Sequence, residues 1–223
     1  MCVGSKSMIG ERILFNESMR KAAIPKLVCQ RRWGLLEKLM RLDSDTIIAD
    51  KTRSNNEQQD QCSISEDLMI HFICRFQAPL YIVELFKEAY PKSLTTFDDV
   101  GRYPLHIACA WGSPLDSIKF LIDSYPIAAR VQDFDGKCPI HHLCHTYKRN
   151  YQDTSCLPVI GSMMAIVEHL YAIASMSFIL EDDEEKNAIE RAVESEVDLG
   201  IVRVIQRKCS ETWIQMKNCE PFH

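Results

Sequence analysis

Apolar residues recur at helical spacing in paired blocks through most of the chain. In GRYPLHIACAWG, a narrow stripe of Leu105, Ala108 and Cys109 predicts a short inner helix. In SPLDSIKFLI, which follows directly, Ile118 and Leu121 lie on one face of a predicted outer helix. The pattern therefore indicates pairs of helices.

The helix pair recurs with a period of 35 residues. LMIHFICRF from Leu68 corresponds to YPLHIACAW from Tyr103 and to CPIHHLCH from Cys138. The third block then breaks off, and its outer-helix half resumes as IVEHLYAIASM from Ile166. We therefore predict an insertion over about 146–161 in the third clear repeat.

Two weaker units flank these three. KNAIERAVESEVDLGIVRVIQ from Lys186 keeps the apolar positions but has Glu190 in place of the histidine, which is typical of a terminal repeat with a charged exterior. Upstream, IPKLVCQRRWGLLEKLMRL from Ile24 predicts two short helices around Arg32 and Trp33, as a degenerate first unit.

The predicted organisation follows from these units. An N-terminal extension covers 1–23, a degenerate repeat or cap covers 24–50, a polar loop covers 51–65, a repeat domain covers 66–208 and a C-terminal tail covers 209–223. The repeats span about 66–98, 99–133, 134–182 and 183–208.

The order DxxG, then x-P-L-H-x-A, then an apolar helix resembles the ankyrin repeat, as in GRYPLHIACAWG and GKCPIHHLC. The resemblance implies an all-α solenoid of four or five ankyrin-like helix pairs joined by short turns. Two features depart from the family: the threonine before the proline is replaced by Tyr103 or Cys138, and the period is 35 residues where about 33 is usual. The resemblance also implies a structural role for seven repeat-motif residues: His71, Gly101, Pro104, His106, Gly136, Pro139 and His141.

Composition narrows the class of protein. A formal charge of −5 gives no broad positive field, so we expect no nucleic-acid partner. No stretch approaches the roughly 18 consecutive apolar residues of a membrane span, and the first residues lack the apolar core of a secretory signal. We expect a monomer without membrane contact, located in the cytoplasm or nucleus, whose cysteines are mostly buried and reduced.

The cysteines and histidines also allow a chemical interpretation. The densest cluster consists of Cys138, His141, His142, Cys144 and His145, with Cys156 in the insertion able to fold back, and it suggests a zinc site or a thiol enzyme. Ligands from different repeats cannot share one zinc ion, because equivalent residues of stacked repeats lie about 10 Å apart and each donor must lie within about 2.3 Å of the metal. Within the cluster, Cys138, His141, His142 and His145 form a single helical stripe, which one straight helix cannot wrap around a metal. A nucleophilic thiol needs an exposed, electropositive place. We therefore expect no enzyme, no metal and no cofactor, with the zinc or thiol enzyme as the alternative.

The resemblance implies that another protein binds the concave surface of the solenoid. The positions that match are Arg75, Phe76, Arg102, Trp111, Lys137 and His145. An aromatic residue near cations is a candidate hot spot, although Trp111 could equally cover its own outer helix. The insertion offers a second contact, through Tyr147, Lys148, Arg149 and Tyr151, or else is simply disordered.

Overall fold

A computed structural model describes residues 23–50, 66–151 and 157–219. The predicted extension up to residue 22, the polar loop 51–65, residues 152–156 of the insertion and the end of the predicted tail, 220–223, lie outside the described residues. The chain divides into two compact units, Met1–Glu66 and Asp67–His223, and each is described by itself.

The described part of the first unit includes the helices α1 (23–29) and α2 (Trp33–Asp50). They are separated by a turn in which Arg31 has a φ of 52°, in the left-handed region that ends a helix. The buried side chains recur at helical spacing on both helices: Ile24, Val28, Leu36 and Met40.

The described part of the second unit consists of helices and turns, without strands, so the predicted all-α class is confirmed for these residues. The helices are α3 (Met69–Arg75), α4 (Leu80–Ala89), α5 (Pro104–Trp111), α6 (Leu115–Ser124), α7 (Pro139–His145), α8 (Tyr147–Tyr151), α9 (Leu157–Ala174), α10 (Ala188–Glu194) and α11 (Leu199–Cys219). Proline begins α5 and α7, where a missing N–H costs no hydrogen bond.

These helices form two rows that follow the chain order. In the inner row, α3 packs against α5, α5 against α7, and α7 against α10. In the outer row, α4 packs against α6, α6 against α9, and α9 against α11. The architecture is therefore repeat-like, and each helix contacts mainly its neighbours in the row and in the pair.

Small residues allow the inner helices to approach closely. Cys74, Cys109 and Cys144 are at most 1% exposed and lie at equivalent places of α3, α5 and α7. Branched apolar side chains such as Ile118 and Leu121 fill the space beneath the outer row. The cysteine of the repeated His-x-x-Cys pair is therefore a packing residue.

An aspartate stabilises the turns that precede the inner helices α5, α7 and α10. Oδ1 of Asp98, Asp133 and Asp182 accepts hydrogen bonds from the backbone N–H groups two and four residues later, at 2.9 to 3.2 Å. Gly101 and Gly136 occupy these turns with φ of 79° and 72°, which glycine adopts without strain. The sequence pattern DxxG therefore corresponds to a turn that the aspartate side chain stabilises through hydrogen bonds to the backbone.

Two segments that the sequence predicted as an insertion and a tail contain helices. The tail predicted from residue 209 is helical up to Cys219, because Cys209 and Thr212 are buried and extend the packed face of α11. The insertion predicted over about 146–161 is helical at both ends, since α8 follows α7 closely and α9 begins at Leu157.

The segment Ile160–Phe178, mostly in α9, is the one described helix that is long and apolar enough to cross a membrane. This finding corrects the expectation that no stretch of the chain approaches the apolar length of a membrane span. The apolar side chains of the segment include Met163, Ile166, Val167 and Leu170, which are buried in the packed face of α9. Packing between α6 and α11 accounts for the apolar side chains of this buried face, although only 33% of the segment is buried.

Candidate functional site

The repeated histidines bind the turns that follow them. His71, His106 and His141 are buried on the inner row, and the Nε2 atom of each lies within hydrogen-bond distance of a backbone carbonyl: Arg102 for His71 at 2.9 Å, Val131 for His106 at 3.1 Å and Leu180 for His141 at 3.0 Å. His106 and His141 therefore connect their inner helices to the end of their own repeats, whereas His71 binds the turn that leads into α5.

The second ring nitrogen fixes the tautomer in two of the three copies. Nδ1 of His106 accepts the backbone N–H of Tyr103 at 3.2 Å, and Nδ1 of His141 accepts that of Cys138 at 3.0 Å. A nitrogen that accepts carries no proton, so Nε2–H donates to the carbonyl. Burial lowers the pKa of His106 to about 3, which keeps its ring neutral.

His71 departs from this pattern. Its Nδ1 is buried and has no hydrogen-bond partner among the described residues. The residue three positions earlier, Leu68, belongs to a 3₁₀ turn with ψ near 0° and so does not present its N–H as the extended Tyr103 does. The first copy therefore lacks one bond that its neighbours make.

The candidate Cys/His cluster of α7 is divided among separate partners. His141 binds Leu180, His142 binds the Asp133 carboxylate at 2.7 Å, and Cys144 is fully buried. Burial raises the pKa of Cys138 to about 12, which disfavours a thiolate. Within the described ranges no group of three or more His, Cys, Asp or Glu side chains could hold a metal ion. Cys156 lies outside those ranges.

Trp111 lies against two guanidinium groups. The Cζ atom of Arg75 is 4.7 Å from the centroid of the Trp111 ring, and that of Arg149 is 4.4 Å away. Both distances are within the range of a cation–π interaction. Residues from α3, α5 and α8 therefore meet at one place, which we call the Arg–Trp–Arg cluster.

Helix α8 is positioned by the end of α5. The side-chain N–H groups of Arg149 and Asn150 both donate to the Ala110 carbonyl, and the Asn150 amide also donates to Thr146 Oγ1 at 3.0 Å. These bonds satisfy a carbonyl in the last turn of α5, where the helix itself supplies no donor. The start of the insertion is thus fixed to the second repeat.

On the α3 side, Gln77 Nε2 donates to the Trp111 carbonyl at 2.7 Å. Phe76 is half-buried and packs against Phe72, with ring centroids 5.0 Å apart. Trp111 itself is half-buried, and Arg75 and Arg149 are exposed. The cluster is therefore accessible at the surface.

The other predicted contact residues have partners of their own. Arg102 pairs with Asp98 at 2.8 Å, Lys148 pairs with Glu196 at 2.7 Å, and Lys137 lies 4.0 Å from Asp135. His145 is exposed, while Tyr147 is half-buried. The side chain of Tyr151 lies outside the described residues. Arg102 therefore stabilises the turn that contains Asp98, in addition to lying on the predicted contact surface.

Sequence reasoning missed Asn150 and an exposed aromatic pair. Phe97 and Phe134 are 52% and 66% exposed, with ring centroids 6.2 Å apart. The signal was available, because each phenylalanine adjoins the repeated turn aspartate in TFDD and QDFD. Asn150 left no such signal, since its partner, the Ala110 carbonyl, is 40 residues away in the sequence.

Neither the family models nor the curated proteins that we compared with this chain gave a match.

Proposed function

We propose that this chain is a non-enzymatic protein-binding module of the ankyrin-like solenoid type, which binds another protein on the surface that carries Trp111. The proposal includes a monomer in the cytoplasm or nucleus that uses neither cofactor nor metal. Two features support the solenoid: the helix pairs pack in two rows, and the histidine and the aspartate recur at equivalent places in consecutive repeats.

The arrangement around Trp111 carries the proposal. A half-buried indole in contact with two guanidinium groups offers both apolar contact area and charge, and the three side chains come from three different helices. Tryptophan and arginine are the residues most enriched at the energetic centres of protein interfaces. A residue needed only to cover its own outer helix would have no need of a second guanidinium brought in from α8.

Site-specific photo-crosslinking can test the proposal. A photoreactive amino acid placed at His145, on the proposed surface, should capture a discrete partner that mass spectrometry identifies. The same group at Glu84, an exposed position of α4 in the outer row, provides the matched control.

The captured partner then allows a measurement of affinity. Trp111→Ala should weaken its binding by about 2 kcal/mol, as expected for a hot-spot residue. Tyr81→Ala removes an aromatic side chain that is 43% exposed on α4, and it should leave the affinity unchanged. Full retention of affinity in Trp111→Ala, with unchanged helicity, would refute the assigned surface.

A further inference from the structure

We infer that the Arg–Trp–Arg cluster recognises carboxylate side chains, so that the partner presents a segment rich in aspartate or glutamate. This inference rests on the proposed function and adds the chemical class of the segment that is bound. It also makes Arg149, and hence helix α8 of the insertion, part of the recognition surface.

The first step is the absence of internal counter-charges at the cluster. The other cations predicted for this surface lie close to a carboxylate: Arg102 to Asp98, Lys137 to Asp135 and Lys148 to Glu196. Arg75 and Arg149 form no ion pair with any carboxylate in the described part of the chain. Among the described residues of this surface, these two cations are therefore available to an external anion.

The second step concerns the distance between these charges. Both Cζ atoms lie close to one ring centroid, so their separation cannot exceed the sum of the two distances, 9.1 Å. That separation is comparable to the Debye length of about 8 Å at physiological ionic strength, so the two charges repel each other in solution. An anion that lies close to both guanidinium groups weakens this repulsion and is attracted to each of them.

The third step is the supply of hydrogen-bond donors. A guanidinium carries five N–H donors, and one that lies against an aromatic ring keeps these donors at its edge. Arg149 gives one N–H to the Ala110 carbonyl and its Nε–H to Asn150 Oδ1 at 3.5 Å, while Arg75 has Trp111 as its contact. The remaining donors match the oxygens of a carboxylate, and the indole offers apolar surface to the methylene groups of the same side chain.

Fluorescence anisotropy with labelled peptides tests the inference on the full chain. The probes are a hexaglutamate peptide, a hexaglutamine peptide of the same length and a phosphoserine peptide. We expect saturable binding of hexaglutamate that weakens as salt is added, and no saturable binding of hexaglutamine. Equal binding of both peptides, or binding of the phosphoserine peptide alone, would overturn the assignment to carboxylates.

Charge-matched variants locate the binding. Arg75→Gln and Arg149→Gln should each weaken hexaglutamate binding by about fivefold. Arg203→Gln, at an exposed position of the outer-row helix α11, removes the same charge and should leave binding unchanged. Arg75→Lys should restore part of the loss, since lysine keeps the charge without the fork of donors. Equal weakening in all three glutamine variants would mean that only net charge matters, and would contradict the inference.

The two proposals can fail separately. A crosslinked partner that depends on Trp111 but not on Arg75 or Arg149 would contradict the carboxylate assignment and leave the proposed function in place. Cluster-dependent hexaglutamate binding, with no protein captured at His145, would support the carboxylate site and count against the module.

Discussion

The Asp133 carboxylate accepts a hydrogen bond from Nε2 of His142 at 2.7 Å, and the two residues are nine positions apart in the third repeat. The same interval joins Asp182 to Arg191 at 2.6 Å in the fourth. In the second repeat the corresponding residue is Ile107, and Arg102 supplies the partner of Asp98 instead. In each of these three turns one carboxylate oxygen accepts backbone N–H groups, and the other oxygen is satisfied in one of two alternative ways.

These bonds determine the charge state of the turn aspartates. Burial alone would raise the pKa of Asp133, but the hydrogen bonds from His142 and from the Lys137 N–H outweigh it. The pKa therefore lies below its usual value, and the carboxylate stabilises the folded state at neutral pH. This stabilisation is present above the pKa that the aspartate has in the unfolded chain, and it disappears as the pH falls through the lower pKa of the folded state.

The first prediction concerns the Asp182–Arg191 pair. Both side chains are at most 2% exposed, so Arg191→Ile leaves a buried carboxylate without its partner and should lower the free energy of unfolding by about 3 kcal/mol. Lys186 occupies the position that corresponds to Arg102, so adding Lys186→Arg to that variant should recover about 1 kcal/mol. Urea unfolding followed by circular dichroism measures both effects.

Lys186→Arg alone is the control, and it should change stability by less than about 0.5 kcal/mol. A cost below about 1 kcal/mol for Arg191→Ile would show that Asp182 does not depend on this partner. Failure of the second substitution to recover any stability would show that the two ways of satisfying the carboxylate are not interchangeable.

The features that the sequence predicts most directly are those that recur along the chain. They are the helix pairs, the inner-row cysteines and the turns at Gly101 and Gly136, and each depends on the spacing of residues close together in the sequence. Arg191 was less predictable, because a charged residue in a terminal repeat was expected on the exterior, yet it is 1% exposed. Arg191 is buried because it pairs with Oδ2 of Asp182, the carboxylate oxygen that the turn itself does not use. The turn must fold before this oxygen is in place, so the sequence pattern does not predict the pair.

The candidate contact residues show the same limit. Arg75 and Trp111 could be assigned to one surface from their repeat positions, whereas Arg149 belonged to an insertion with no repeat to align it. Their convergence depends on how α8 is attached to the end of α5, through hydrogen bonds between residues about 40 positions apart. The spacing of residues along the chain does not predict a contact between residues so far apart in the sequence.

The second prediction concerns pH. Burial lowers the pKa of His71 and His141 and lowers that of His106 to about 3, while an unfolded histidine titrates near 6.5. Between these values the unfolded chain binds more protons than the folded one, so stability should fall as the pH drops below about 6.5. For His106 the slope reaches about 1.4 kcal/mol per pH unit.

Urea unfolding at pH 7.5, 6.0 and 5.0 checks this expectation. His106→Gln should be less stable than the unmodified chain at pH 7.5, but its stability should fall less steeply with acid, because one titrating group is gone. Parallel pH profiles for the two proteins would contradict the assignment of a neutral, buried imidazole to His106.

The third prediction concerns thiol reactivity. Cys29 is exposed, whereas Cys74, Cys109 and Cys144 are buried, and burial raises the pKa of Cys74 to about 12. Iodoacetamide at pH 8 should therefore modify Cys29 quickly, and the three inner-row thiols at least about 100-fold more slowly, at a rate set by unfolding. Peptide mass spectrometry over time measures each site. Rapid modification of Cys144 in the folded protein would instead favour the thiol-enzyme alternative.

The fourth prediction concerns the attachment of α8. Asn150 bonds both the Ala110 carbonyl and Thr146, so Asn150→Ala should reduce the free energy of unfolding by about 1 kcal/mol and loosen the helix. Because Lys148 and Arg149 lie in that helix, limited trypsin digestion should then cut there faster than in the unmodified chain. Gln206→Ala, at an exposed position of α11, should change neither property. If cleavage at these two sites were as slow in Asn150→Ala as in the control, the amide could not be what holds α8, and Arg149 would have to be positioned against Trp111 by other contacts.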